Sequence, residues 1–406
     1  MRKITILLTS ILFSMSVFAG GYQVRLQGNK QTGMGLIGTP LNMGASSMFY
    51  NPGALSMMKT NWSFDLGASF ILATATFEKS ESDYTASSDN PVGTPFYFYG
   101  AGKINKLIAL GVAVYTPFGS SAKWEDDWAG NLLVQNIDLQ AIYIQPTISF
   151  NINDKLGIGG GFIYAMGNVE LNKALNYSDA NGQSTVNLQG NGSNLGYNIG
   201  VFFKPVENWA IAVDYRSEIM MNVEDGDAIF DVPSALEGTI PPTNTFSAEL
   251  PLPANLDVGV AVQATKKLLI AIEFDWTFWS VYDSLKFTFA QAGDLLNSSS
   301  PREYHNAFIP RIGFEYAFSE KFQLRIGGYY DASPTNPNYF TPETVSLNTA
   351  ALTAGFSWYP VKNLGIDFSI LQLFGQQSQK NYAPDNFGGT YKTNTTAPGI
   401  GISYSF

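Results

Sequence analysis

From Trp62 to the C-terminus the chain alternates apolar with polar or small residues, in segments of ten or more separated by turn-forming clusters. Leu364, Ile366, Phe368 and Ile370 fall on one face of such a segment, and Gly365, Asp367 and Ser369 on the other. Trp209, Ile211, Val213 and Tyr215 alternate in the same way with Ala210, Ala212, Asp214 and Arg216. A period of two places successive side chains on opposite faces of a strand, so these segments are two-faced strands rather than helices. The pattern predicts fourteen of them, at 62–78, 94–104, 107–117, 131–150, 155–171, 191–204, 208–223, 245–264, 268–288, 305–318, 321–331, 344–359, 363–374 and 389–406.

Two-faced strands suit a soluble sandwich as well as a membrane barrel, and low charge without membrane helices leaves a membrane β-barrel or a large secreted β-protein. Only 14% of residues are charged, against roughly 25% in typical soluble domains. No apolar run after the N-terminus reaches the roughly 20 residues a membrane helix needs. The connections alternate in length: six are short, near 105–106, 153–154, 205–207, 265–267, 319–320 and 360–362, and seven are long, near 79–93, 118–130, 172–190, 224–244, 289–304, 332–343 and 375–388. That asymmetry, with both chain ends on the short-turn side, is the pattern of bacterial outer-membrane barrels. Trp62, Trp209, Trp276, Trp279, Trp358 and Tyr359 fall near predicted strand ends, where rings sit at membrane interfaces. The alternating end Ile400 to Phe406 suits a strand that closes a barrel and leaves no free edge.

Residues 1–19 read as a secretory signal peptide, with Arg2 and Lys3, an apolar stretch from Ile4 to Phe18, and a small-residue cleavage site after Ala19. Residues 20–61 are rich in Gly and Met and lack alternation, which suits an N-terminal hatch folded into the lumen of the barrel formed by 62–406. Without Arg2 and Lys3 the chain carries 21 positive against 33 negative charges, about −12, which argues against a nucleic-acid partner. There is no Cys, hence no disulfide or thiolate metal site. The only His is His305, at the edge of a long loop, and no nucleophile elbow is present, so neither catalysis nor a cofactor is expected. Glu125-Asp126-Asp127 and Glu224-Asp225-Gly226-Asp227 lack calcium-loop spacing and read as solvated loop charge. Gly157 to Gly161 breaks the phosphate-loop pattern at Phe162 and reads as small residues within a strand.

Asn51-Pro52-Gly53-Ala54-Leu55 resembles the Asn-Pro-Ala element in the hatch of the FadL/TodX family of outer-membrane transporters. Further matching pieces follow in family order at 109–113 with Phe118-Gly119, at 215–218, at 276–285 and at 311–334. The resemblance implies a fourteen-stranded all-β transmembrane antiparallel barrel with an N-terminal hatch. It also implies passive uptake of hydrophobic small molecules, long-chain fatty acids or hydrocarbons, which leave sideways through an opening beside a kinked third strand. It leaves a second possibility, a secretion-associated or surface-attachment barrel that binds a protein partner. In either case the barrel is expected in the bacterial outer membrane, among lipid and lipopolysaccharide. Where fatty-acid carriers of the family hold a positive head-group residue, this chain reads Tyr164-Ala165-Met166-Gly167, which puts carboxylate recognition in doubt.

Three groups of candidate site residues follow. Met34, Phe49, Asn51, Pro52, Gly53, Ala54 and Met57 are expected to shape the hatch and its ligand surface, Met because it adapts to varied apolar shapes. Tyr115, Pro117, Phe118 and Gly119 are expected to frame the lateral opening, because Pro and Gly interrupt strand pairing. Arg216, Arg311 and Arg325 face the lumen and are head-group candidates, with pairing to lumenal acids such as Asp275 and Glu315 as the competing role.

Overall fold

The computed structural model describes residues 20–179 and 182–406. The expected signal peptide over 1–19 lies outside the described residues, as does position 180 in the connection between the fifth and sixth strands. Among the described residues, fourteen antiparallel strands form one closed ring. They are β1 (62–79, interrupted at 70–71), β2 (85–103, interrupted at 88–95), β3 (108–123), β4 (136–151), β5 (156–179), β6 (182–206) and β7 (209–231, interrupted at 217–218). The ring continues with β8 (243–263, interrupted at 253–254), β9 (268–289, interrupted at 278–283), β10 (298–317, interrupted at 302–306), β11 (322–331), β12 (349–361), β13 (364–375) and β14 (387–405). Closure comes from β1 against β14, in register from Ser63 opposite Ser405 to Ser69 opposite Gly399 and again from Leu72 opposite Thr396.

The six short turns stand where the sequence placed them, and apolar side chains such as Ile211, Val213, Ile400 and Ile402 face outward. Trp62, Trp209, Trp276 and Trp358 are exposed on that outer face. Trp279 is not: it is 0% exposed and packs edge-on against Tyr22 inside the ring. Tyr359 also departs from the outer girdle, its hydroxyl lying 3.2 Å from Gln323 Oε1.

Expectations about the long loops need correction. The span 172–190 is not a loop but the outer end of a hairpin, since β5 and β6 stay paired from Leu156 opposite Phe203 to Asp179 opposite Gly182. Residues 224–231 likewise continue β7. Beyond the membrane the polarity of these strands inverts. Val169, Leu171 and Leu188 point inward, while Asn168, Asn191 and Glu224 line the outer surface. The 332–348 connection also turns inward, burying Phe340 and Leu347 at the long-loop end of the ring.

Residues 20–58 lie inside the ring, in short helical turns at Asn29–Gly33, Gly44–Ser46, Ser47–Tyr50 and Pro52–Met57. Wall glycines let this segment approach closely. Cβ atoms at Gly157, Gly159 and Gly200 would collide with the Asn51 to Gly53 stretch, and one at Gly313 would collide with Met34. The Gly-rich start of β5 is therefore a docking surface for backbone, close to the short turn after Asn151, which puts Asn51 to Met57 in the short-turn half of the lumen.

Candidate functional site: a window in the wall beside an apolar slot

The third strand carries an irregularity of the wall at Thr116 and Pro117. β3 keeps ladder pairing with β2 from Ala109 to Tyr115. On its other side it follows β4 to Tyr115, slips register, and resumes from Phe118 opposite Ala141 to Lys123 opposite Asn136. Pro117 sits in the slip, and having no N–H it cannot donate a ladder bond there. The strand passes through Pro117 and on to Lys123, so the expected end at 117 is a bulge rather than a terminus.

A window results between β2 and β3. Its lower sill is Thr116, whose Oγ1 accepts from Phe96 N at 3.0 Å and donates to Phe96 O at 3.2 Å. The upper edge is closed by Asp89 N donating to Lys123 O at 2.8 Å. Between them, Asn90 to Pro95 faces Phe118 to Ala122 across a cavity of about 450 Å³. Behind the window the free edge of β3 is taken up by the N-terminal segment: Val24 N donates to Pro117 O at 2.7 Å, and Gly119 N donates to Tyr22 O at 3.0 Å.

A second cavity, about 70 Å³, lies beside the first at the long-loop end of the ring. Its walls are apolar, with Val169, Leu171, Leu188, Phe246, Leu250 and Phe287 among them. One end is polar: Tyr22, Tyr282, Tyr304, Arg302 and Glu343 meet there. Arg302, 2% exposed, donates from Nη2 to Glu343 Oε2 at 2.8 Å, and its guanidinium lies 6.0 Å from the Tyr282 ring centre. Burial, reinforced by Tyr282 and Tyr304, raises the Tyr22 hydroxyl well above its ordinary range, so it stays protonated and donates to Pro251 O. Leu139, Glu343 and Thr344 line both cavities and so form the partition between them.

Of the residues singled out in the sequence, Phe118 and Gly119 line the window cavity, Pro117 frames it, and Tyr115 marks the last paired residue below it. The three arginines stand elsewhere. Arg311 pairs with Asp275 at 2.7 Å and Glu273 at 3.4 Å, and Arg325 pairs with Glu315 at 2.7 Å. Arg216 donates to Tyr115 OH, Gln145 Oε1 and Phe49 O, and stacks 4.5 Å over the Phe49 ring. None of the three reaches either cavity, because each already neutralises wall carboxylates or holds the inner segment.

Met34, Phe49, Asn51, Pro52, Gly53, Ala54 and Met57 also lie away from both cavities, against the wall. Asn51 is their anchor: its Nδ2 donates to Val201 O at 3.0 Å and Thr39 O at 3.2 Å, and its Oδ1 accepts from Gly53 N at 2.9 Å. Arg25 of the inner segment bridges Asp275 at 2.8 Å and Asp257 at 3.0 Å, and Lys30 lies 3.7 Å from Asp367. The inner residues that do line a cavity are nearer the start, Gly20 to Val24.

Sequence reading missed Arg302 and the slot. Arg302 sits in a span expected to be loop, where a charged residue carries no distinguishing local signal. The slot did leave a trace, in apolar Val186 and Leu188 alternating with polar Asn187 and Gln189 beyond the membrane zone.

The family model for outer membrane protein transport proteins (OMPP1/FadL/TodX) matches residues 10–406. A long-chain fatty acid transport protein of Salmonella typhi is 24% identical over 373 residues, covering 84% of each chain. Among solved structures, a Pseudomonas aeruginosa FadL homologue superposes with a TM-score of 0.83 at 17% identity, over 95% of this chain and all of that one. The toluene transporter TbuX of Ralstonia pickettii gives 0.73 at 18% identity, over 93% and 98%. These two structures share the barrel fold. With a family match across nearly its whole length, the chain belongs to the OMPP1/FadL/TodX family of outer-membrane transport proteins.

Proposed function

We propose that this protein is a passive channel for hydrophobic small molecules, which enter the apolar slot from outside and leave sideways through the window between β2 and β3. The observation that carries the reading is the window itself: a pairing gap bounded by Thr116 and Lys123, backed by a 450 Å³ cavity that shares Leu139, Glu343 and Thr344 with the slot. The slot suits an apolar guest because burial of apolar surface stabilises binding by about 25 cal/mol per Å², and a lateral exit delivers that guest to the membrane without exposing it to water. Residues 20–61 act as a hatch, which we assign to blocking the periplasmic half so that the wall is the easier way out. The substrates named for relatives, fatty acids and toluene, belong to the class this geometry suits. Above the apolar band, outward Asn168, Asn191, Asn222 and Glu224 are assigned to the lipopolysaccharide headgroup layer.

Gly119 provides the test. A Cβ there meets only the Leu139 carbonyl, at 3.2 Å, so a large side chain has the window to occupy. Gly119→Trp should insert normally and retain ligand in the slot while uptake of octane or toluene by whole cells falls at least tenfold. Uptake equal to wild type would rule out exit at this position.

A further inference from the structure

Arg302 is the natural receptor for an anionic head group in the slot, yet its positive charge is already matched. Among the residues lining the slot only Arg302 and Glu343 are charged, and they pair at 2.8 Å, with Thr341 Oγ1 donating to the same carboxylate oxygen at 3.2 Å. The lining as built is electrically neutral. A carboxylate drawn into an apolar site loses its hydration and needs an unmatched cation in return. Here an entering carboxylate meets a guanidinium whose partner is tethered to the chain and present at high effective concentration.

We infer that Glu343 is a specificity-determining residue, an internal carboxylate that occupies the head-group position on Arg302 and makes the slot select neutral apolar molecules over fatty carboxylates. The inference rests on the slot being the ligand site. Neutral guests need not disturb the pair: they fill the space among Leu171, Leu188, Phe246 and Phe287, and their hydroxyl, if they have one, meets the tyrosine hydroxyls. Removing the Glu343 charge leaves Arg302 buried and uncompensated, and that inverts the preference. A neutral amide at 343 keeps the shape and the hydrogen bond while removing the counter-charge.

The test uses the full-length protein in nanodiscs, with equilibrium dialysis of radiolabelled octanoate and 1-octanol at pH 7.5 against empty nanodiscs. Wild type should favour octanol. Glu343→Gln should shift the octanoate-to-octanol affinity ratio at least tenfold toward octanoate, and Glu343→Asp should restore the wild-type ratio. A ratio in Glu343→Gln within twofold of wild type would overturn the assignment. Leu188→Trp, which fills the slot, should abolish binding of both. Undiminished binding of both in Leu188→Trp would show that the slot is not the ligand site, a failure distinct from an unchanged ratio with a working slot.

Discussion

Gly159 and Gly160 are neighbours on β5 and should respond to the same substitution in opposite ways. Alternation sends Gly159 toward the lumen, where a Cβ would lie 2.5 Å from the Pro52 carbonyl carbon and 3.0 Å from Gly53 N. Both are backbone atoms, so no flexible side chain can swing aside. Gly160 faces the lipid, and a Cβ there finds Asn198 O at 3.3 Å and Ile199 Cγ1 at 3.9 Å, a contact that a small shift relieves. In Gly159→Val the Asn51 to Ser56 stretch must lift. Overpacking of this kind costs about 1–3 kcal/mol. Lifting also strains two bonds to the wall, Asn51 Nδ2 to Val201 O at 3.0 Å and Ser56 N to Ser149 Oγ at 3.1 Å, each contributing about 1 kcal/mol. The sum is about 4 kcal/mol, which moves the docking equilibrium roughly a thousandfold. Because the chain has no native Cys, a single thiol at buried Ser47 reports lifting cleanly. In a Ser47→Cys background, Gly159→Val should speed modification by a membrane-impermeant maleimide in detergent at least a hundredfold, with higher bilayer conductance and unchanged heat-modifiable gel mobility. Gly160→Val should match the parent in all three. Equal labelling of the two variants would refute close backbone docking as the reason for these glycines.

Two further outcomes follow from the same geometry. Arg25→Met leaves Asp257 and Asp275 facing Arg311 alone; breaking a buried pair costs about 3–5 kcal/mol, so conductance should rise and the thermal midpoint fall, and an unchanged midpoint would show that Arg25 contributes little to docking. A single Cys at Ser234, in the 232–242 connection, should react with impermeant reagent on intact cells, whereas one at Lys362 should react only after the outer membrane is permeabilised; equal reaction would invert or abolish the assigned topology.

The strands were legible because one face of each meets lipid, and an outward row such as Ile366, Phe368 and Ile370 cannot be anything but apolar there. Legibility failed where that constraint lapses. Beyond the membrane β5 and β6 turn their apolar residues inward, so Leu188 reads as part of a loop although it helps to build the slot. Pro117 was legible as an irregularity, because a missing N–H acts locally. That β3 continues past it was not, since the continuation depends on β4 and on Tyr22, nearly a hundred residues away in sequence. Arg216, Arg311 and Arg325 were legible as lumenal, but their partners depend on the ring's register and on where the inner segment docks. Arg302 became visible only once the inward fold of the 332–348 connection had brought Glu343 to it.

Photo-crosslinking follows an apolar molecule along its path through the barrel. A diazirine-bearing apolar probe is illuminated during uptake by intact cells, and the labelled peptides are mapped. Lateral passage predicts labels in 90–95 and 116–122 and along the slot at Leu171 and Leu188, with 41–58 left clean. Labels concentrated in 41–58 and on the lumen-facing glycines Gly157 and Gly159, with the window unlabelled, would mean that the molecule passes down through the hatch, and would contradict exit through the wall.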